Sequence, residues 1–196
     1  MSRLDRAFFA RSALRVAPDL LGCRLVRELP DGARLEGSIV EVEAYLGDGS
    51  DAGSHSHRGP TLRNRAMFGP PGHFYVYLSH GLHFCANAVC EPAGSGAAVL
   101  IRAVEPIRGE ARMREHRSGR DGVELTNGPG KLAAAFAITR DHGGACALRG
   151  ALRIEQVSSV EHAIVAGTVK VEADLPTHVG REQVPGLRPV EAIGAG

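Results

Sequence analysis

Apolar and polar residues alternate in short runs along most of this chain. Each such run predicts a strand with one face buried. Residues 22–29 (GCRLVREL) and 33–47 (ARLEGSIVEVEAYLG) form the first pair, and Pro30-Asp31-Gly32 between them predicts a hairpin turn. Residues 73–90 (HFYVYLSHGLHFCANAVC) predict two more strands, turning around Ser79–Leu82. Residues 97–106 (AAVLIRAVEP) predict a buried strand that Pro106 ends, and 152–157 (LRIEQV) and 169–173 (VKVEA) predict two late ones. Helical spacing is confined to residues 7–21 and to Thr126–Thr139, where Gly128-Pro129-Gly130 leads into KLAAAFAIT. Residues 47–73 are rich in Gly, Pro and Ser and predict a long irregular loop, which inside a compact domain is usually functional or disordered. The order is helix, strands, helix, strands, without βαβ alternation. It predicts one α+β domain over residues 1–196, a mostly antiparallel curved sheet flanked by helices, with a loose Pro/Gly-rich tail over 175–196.

One run is unusual. In IVEVEAYLG, which starts at Ile39, strict alternation puts Ile39, Glu41, Glu43 and Tyr45 on one face and Val40, Val42 and Ala44 on the other. Polar residues facing solvent would explain a lone strand of this kind. But Tyr75 and Tyr77 are also spaced to share a face, and Asn87 and Arg102 follow on apolar strands, where polar groups are costly unless partnered. A carboxylate, tyrosine faces, an amide and a guanidinium together suit a pocket for a flat, polar, cationic ring. In it the carboxylate would activate a water.

Composition narrows the alternatives. At 196 residues, 43% hydrophobic, the chain can bury a single core. No apolar run is long enough to cross a membrane. The first 22 residues are amphipathic and rich in Arg and Ala, as transit peptides are, but Asp5 and Asp19 and the Pro18–Gly22 segment favour a docked helix. The net charge of +1 advertises no polyanion partner for the chain as a whole. Locally, Arg102, Arg108, Arg112, Arg114, Arg117 and Arg120 outnumber Glu105, Glu110 and Glu115, which suits either a phosphate-facing patch or a solvated helix of mixed charge. Cys23, Cys85, Cys90 and Cys146 form no CxxC pair, and Cys85 and Cys90, in an apolar stretch, read as reduced core residues.

Other chemistries fit less well. His55 and His57, or His80 and His83, lie near Asp48 and Asp51, but there is no HExxH and no Cys/His quartet. DGSDAG begins like a calcium loop, yet its twelfth position is Gly59 rather than a bidentate Glu. There is no GxSxG. TNGPGK lacks the Walker spacing and suits at most one backbone phosphate.

At these residues the chain resembles the alkyladenine (3-methylpurine) DNA glycosylases, the mammalian-type family with many bacterial members. The matching stretches are LLGCRLV, GSIVEVEAYLG, SHSHRGPTLRNRAMFGPPGHFYVYLSHGLHFCANAVC, AAVLIRAVEP and NGPGKLAAAFAI, in family order over roughly residues 8–140. The resemblance implies a monofunctional glycosylase that flips a damaged purine from duplex DNA and hydrolyses the base–sugar bond. It implies Glu43 as general base and Arg102 as a residue positioning the water. Tyr45, His55 and Tyr77 would wall the pocket, and Asn87 would exclude normal guanine. His80 would occupy the wedge position, and Arg63, Asn64 and Lys131 would face DNA. No metal or organic cofactor is implied. The implied partner is double-stranded DNA carrying damaged purines, met by a monomer in the bacterial cytoplasm. A damaged-DNA binding protein of weak catalysis on the same fold is the alternative. The chain departs from the family in three places: His80 stands where tyrosine is usual, His57 where bacterial relatives often carry an aromatic, and no aromatic follows Phe136.

Overall fold

The computed structural model describes residues 4–157 and 168–171. The expected 7–21 helix is two helices, α1 (Arg6–Phe9) and α2 (Ala13–Leu20). Asp5 caps α1 by accepting the Phe8 N–H at 2.8 Å. The break follows because Arg11 turns back, donating to the Phe8 carbonyl at 2.8 Å with its guanidinium 4.3 Å over the Phe8 ring. Ser12 then restarts the chain from an extended conformation.

The strands are β1 (Arg24–Glu28), β2 (Arg34–Tyr45), β3 (Phe74–Ser79), β4 (His83–Cys90), β5 (Ala97–Arg108), β6 (Leu152–Glu155) and β7 (Thr168–Val171). Two further helices are α3 (Glu110–His116) and α4 (Pro129–Ala135). The sheet runs β3-β4-β5-β2-β1-β6 with antiparallel neighbours throughout. The expected α+β class with a mostly antiparallel sheet is therefore the observed one. β7 is the parallel exception and lies along Glu41–Ala44 of β2. The predicted tail over 175–196 and the last two residues of VKVEA lie outside the described residues.

Two boundaries move. β5 continues past Pro106 to Arg108, because Pro106 opposes Gly37 beside a bulge that leaves Ile107 unpaired, a position where a strand tolerates a missing N–H. α4 begins at Pro129 rather than Thr126, whose hydroxyl instead donates to the Val104 carbonyl at 2.6 Å. The arginine-rich stretch is a mixed-charge surface rather than a free basic patch. Arg112 pairs with Asp31 and Glu115, Arg114 pairs with Glu110 and Asp121, and Arg117 donates to the carbonyls of Glu124 and Leu125.

α1, α2 and α4 cover one face of the sheet. Phe9, Val16, Leu20, Leu132 and Phe136 pack there with Ile39, Val42, Ala44, Phe74, Val99 and Ile101. Full burial of each Val, Leu, Ile or Phe among them contributes about 1.5–3 kcal/mol. Strict alternation predicts Ile39 on the face of Glu41 and Glu43, and the structure corrects this. Ile39 pairs with Val104 and Glu41 with Ala103, so Val40 is an extra residue on β2; Val42 then pairs with Ile101, so Arg102 is an extra residue on β5. The two bulges invert the phase of both strands together. They let Ile39, Val42 and Ala44 all enter the helix-covered core while Glu41, Glu43 and Tyr45 keep the other face.

Candidate active site

That other face carries one transverse row. Glu43 pairs with Leu100, Leu100 with Asn87, and Asn87 with Tyr75, which crosses β2, β5, β4 and β3 in register. Directly opposed residues point to the same side of a sheet, so the row is a property of pairing alone. Beside it lies a small apolar floor of Val89 and Ala98, joined by Met67 and Tyr75.

The loop between β2 and β3 covers this floor, and its own buried polar residues shape it. Asp51 is fully buried and accepts the N–H groups of Leu46, Gly53 and Ser54 at 3.0–3.1 Å. It is thus committed to backbone donors rather than poised for a cation. Among the described residues, no three His, Cys, Asp or Glu side chains converge as metal ligands would. Gly96 seats the loop against β5: a Cβ there would meet Phe68 at 2.7 Å and Ser56 at 2.8 Å.

Loop and row together enclose a cleft of about 230 Å³, counting its open mouth, lined by Tyr45, Gly53, His55, Met67, Tyr75, Tyr77 and Asn87. Tyr75 and Tyr77 stack with centroids 5.4 Å apart, and His55 meets the Tyr77 ring edge-on at 4.4 Å. His55 Nδ1 and the Tyr75 hydroxyl lie 3.0 Å apart. The Asn87 amide donates to the Tyr75 carbonyl at 3.1 Å, which fixes its orientation. Burial pushes the Tyr75 phenol up to about 12 and raises that of Tyr77 as well, so both remain neutral walls. Partial burial, and then the nearby charge of Arg63, hold the His55 imidazole below its usual range.

Glu43 is only 2% exposed and sits at the edge of this cleft. It accepts a hydrogen bond from the Tyr45 hydroxyl at 3.0 Å on one oxygen and from the Arg102 guanidinium on the other. Arg102 also donates through Nε to Glu41 at 3.0 Å. A buried carboxylate held by two donors is oriented and shielded from bulk solvent, as a base acting on one water requires.

Of the residues the sequence singles out, Glu43, Arg102, Tyr45, His55, Tyr77 and Asn87 converge here. His80 is not among them: it is exposed at the tip of the β3–β4 hairpin. Its φ is 48° and that of Gly81 is 71°, and the Leu82 N–H closes the turn on the Ser79 carbonyl at 2.9 Å. Leu82 beside it is 74% exposed. Lys131, on α4, is bound to Glu124 and Asn127 at 2.7 and 2.9 Å. α4 approaches the hairpin closely, since a Cβ at Gly130 would meet His83 at 2.7 Å. Arg63 is exposed on the loop. Asn64 departs from the DNA-facing expectation. It is 5% exposed, accepts from Thr61, and donates to the carbonyls of His55 and Gly59 at 2.8 and 3.0 Å. Its amide is a clamp inside the loop.

Two residues take larger parts than the sequence assigns. Tyr75, spaced with Tyr77 but given no separate role, lines the cleft and holds His55. Lys170, on β7, reaches Glu41 at 2.7 Å.

The model of the family described as methylpurine-DNA glycosylase matches residues 7–174. A protein of Streptomyces avermitilis is 53% identical over 150 residues, 75% of this chain and 70% of its own length. One of Rhodopseudomonas palustris (strain BisB5) is 52% identical over 142 residues, covering 72% and 67%. One of Methanocella arvoryzae is 47% identical over 175 residues, covering 88% and 86%. All three bear the name "Putative 3-methyladenine DNA glycosylase".

Proposed function

The chain belongs to the methylpurine-DNA glycosylase family, and from that premise we propose that it releases alkylated or deaminated purines from duplex DNA with a water activated by Glu43. As a member it is a DNA glycosylase, a hydrolase of N-glycosyl bonds. The carrying observation is the transverse row, which sets a buried carboxylate, held by two hydrogen bonds, at the edge of an aromatic cleft.

In the proposed reaction the purine leaves the stack and enters the cleft between the rings of Tyr45, Tyr77 and His55. Flipping costs a few kcal/mol, least for a base whose pairing is already damaged. A purine alkylated at N3 or N7 is cationic. It gains cation–π attraction from neutral aromatic walls and departs carrying the electron pair of its glycosyl bond, becoming neutral. The water oxygen bonds to C1′ and its proton passes to Glu43. Arg102 holds the carboxylate and the water in line, and Asn87 supplies the fixed polar edge against which the base is read. At the rim, His80 enters the duplex and fills the vacated stack, with Arg63 and Lys131 facing phosphates. Asn64 shapes the loop that carries Arg63.

The test is base release from duplexes bearing a single 3-methyladenine, 7-methylguanine, hypoxanthine or etheno-adenine, for wild type and Glu43→Gln, in EDTA. The expected result is release by wild type alone, with lesion binding retained in the variant. Full activity in Glu43→Gln would overturn the mechanism. Lesion binding without release by either protein would identify a damage binder.

A further inference from the structure

Glu41 and Glu43 lie two residues apart on the same face of β2, and Arg102 is divided between them. Two carboxylates and one guanidinium leave a net negative charge beside the cleft. β7 supplies the balancing charge. Lys170 pairs with Glu43 in the parallel register and reaches back along the strand, so that its Nζ lies 2.7 Å from Oε1 of Glu41. Arg102 Nε donates to that same oxygen at 3.0 Å from β5, on the other side of β2. Glu41 is thus gripped by cations from two strands, and Arg102 is braced by Glu41 on the side away from Glu43.

We propose that Lys170 is a positioning residue for base release, holding Glu41 so that Glu41 fixes Arg102 against the reacting carboxylate. The assignment rests on the reading of Glu43 given above. A merely structural pair would be a poor use of this contact. The side chains of Lys170 and Glu41 are 48% and 25% exposed, and pairs this open to solvent contribute little to stability. A contact of small energetic weight still matters where it sets the direction of a guanidinium, because ångström-scale displacement of a reacting group is costly.

The ionisation of Glu41 reports the contact directly. Burial would raise its carboxyl, but hydrogen bonds from Lys170 and then Arg102 outweigh burial and hold it below the usual carboxylate range. The charged and titratable groups around the pair are Arg102 from β5, Lys170 from β7, Tyr45 on β2, Tyr77 on β3 and Cys85 on β4. Of these, Lys170 can be removed without touching the cleft wall.

Single-turnover base release, lesion-duplex Kd and the ¹³C carboxylate titration of Glu41, assigned with Glu41→Gln, would be measured for wild type, Lys170→Met and Lys170→Arg. Lys170→Met is expected to slow release about tenfold with Kd near wild type. Its Glu41 midpoint should rise, because the Lys170 hydrogen bond that helps hold it down is gone. Lys170→Arg should restore both. Wild-type release with an unslowed Lys170→Met, an unmoved Glu41 titration, or equal losses of rate and binding in both variants would overturn the Lys170 assignment alone. A wild type that releases no base would overturn the glycosylase mechanism and this role with it.

Discussion

Tyr45 touches the proposed chemistry in two ways, and two substitutions separate them. Its ring lines the cleft, and its hydroxyl donates to Glu43 at 3.0 Å. Tyr45→Phe removes the second contribution and keeps the first. A hydrogen bond to a charged group contributes about 1.5–3 kcal/mol net. At 1.36 kcal/mol per decade, the whole bond would correspond to roughly 10- to 150-fold in rate. Arg102 still holds the other carboxylate oxygen, so the lower end applies, and release should slow about tenfold. Binding of lesion duplex should stay near wild type. Tyr45→Leu removes the wall as well, and base–aromatic stacking of about 1–3 kcal/mol predicts a further loss of roughly 5- to 150-fold in affinity. Single-turnover kinetics and fluorescence-anisotropy binding on the same duplex distinguish the two. A Phe variant as fast as wild type would show that the hydroxyl does not hold Glu43 for reaction. A Phe variant that loses affinity as the Leu variant does would show that the ring and hydroxyl act as one recognition surface.

Two further outcomes follow from the rim of the site. Burial, and then Arg63, lower the His55 pKa and favour its neutral form; the stability linked to it is full above the unfolded value of about 6.5 and is lost as pH falls from there through the lowered folded value. Arg63→Ala should raise the imidazole titration seen by NMR and move the acidic loss of cationic-lesion binding to higher pH, whereas an unmoved titration would exclude Arg63 as a cause. His80→Ala should weaken binding of lesion duplex by more than that of the same lesion in a single strand; equal losses would argue against a wedge at the hairpin tip.

The strands were legible because period-two alternation is a local property, and the Glu43–Tyr45 and Tyr75–Tyr77 spacings carried most of the cleft with them. What alternation could not show was which face Ile39 takes, because a bulge belongs to a pair of strands and neither strand announces it alone. The loop misled in a different way. Asp51 and Asn64 sit in a Gly/Ser-rich stretch that looks solvated, yet both are buried and bind backbone groups. The resemblance implies a DNA-facing Asn64, and nothing local distinguishes an amide turned inward from one turned outward. Lys170 was the least visible. It reaches Glu41 only because a short parallel strand comes back beside β2 after more than 120 intervening residues, and no spacing rule spans that distance.

The paired bulges also constrain how this site can change over generations. An insertion or deletion within a strand normally reverses everything beyond it, and here two reversals are matched across neighbouring strands at Val40 and Arg102. Losing either residue alone would leave its partner strand out of step, sending carboxylates toward phenylalanines or core aliphatics toward water. Only a simultaneous loss would restore register, and one of the two positions is the guanidinium that grips Glu43. A length change in a loop that frames the cleft leaves this register intact, whereas one in the strands beneath it does not. The walls of the cleft can therefore change apart from the carboxylate proposed to act on the base, which the strands hold in frame.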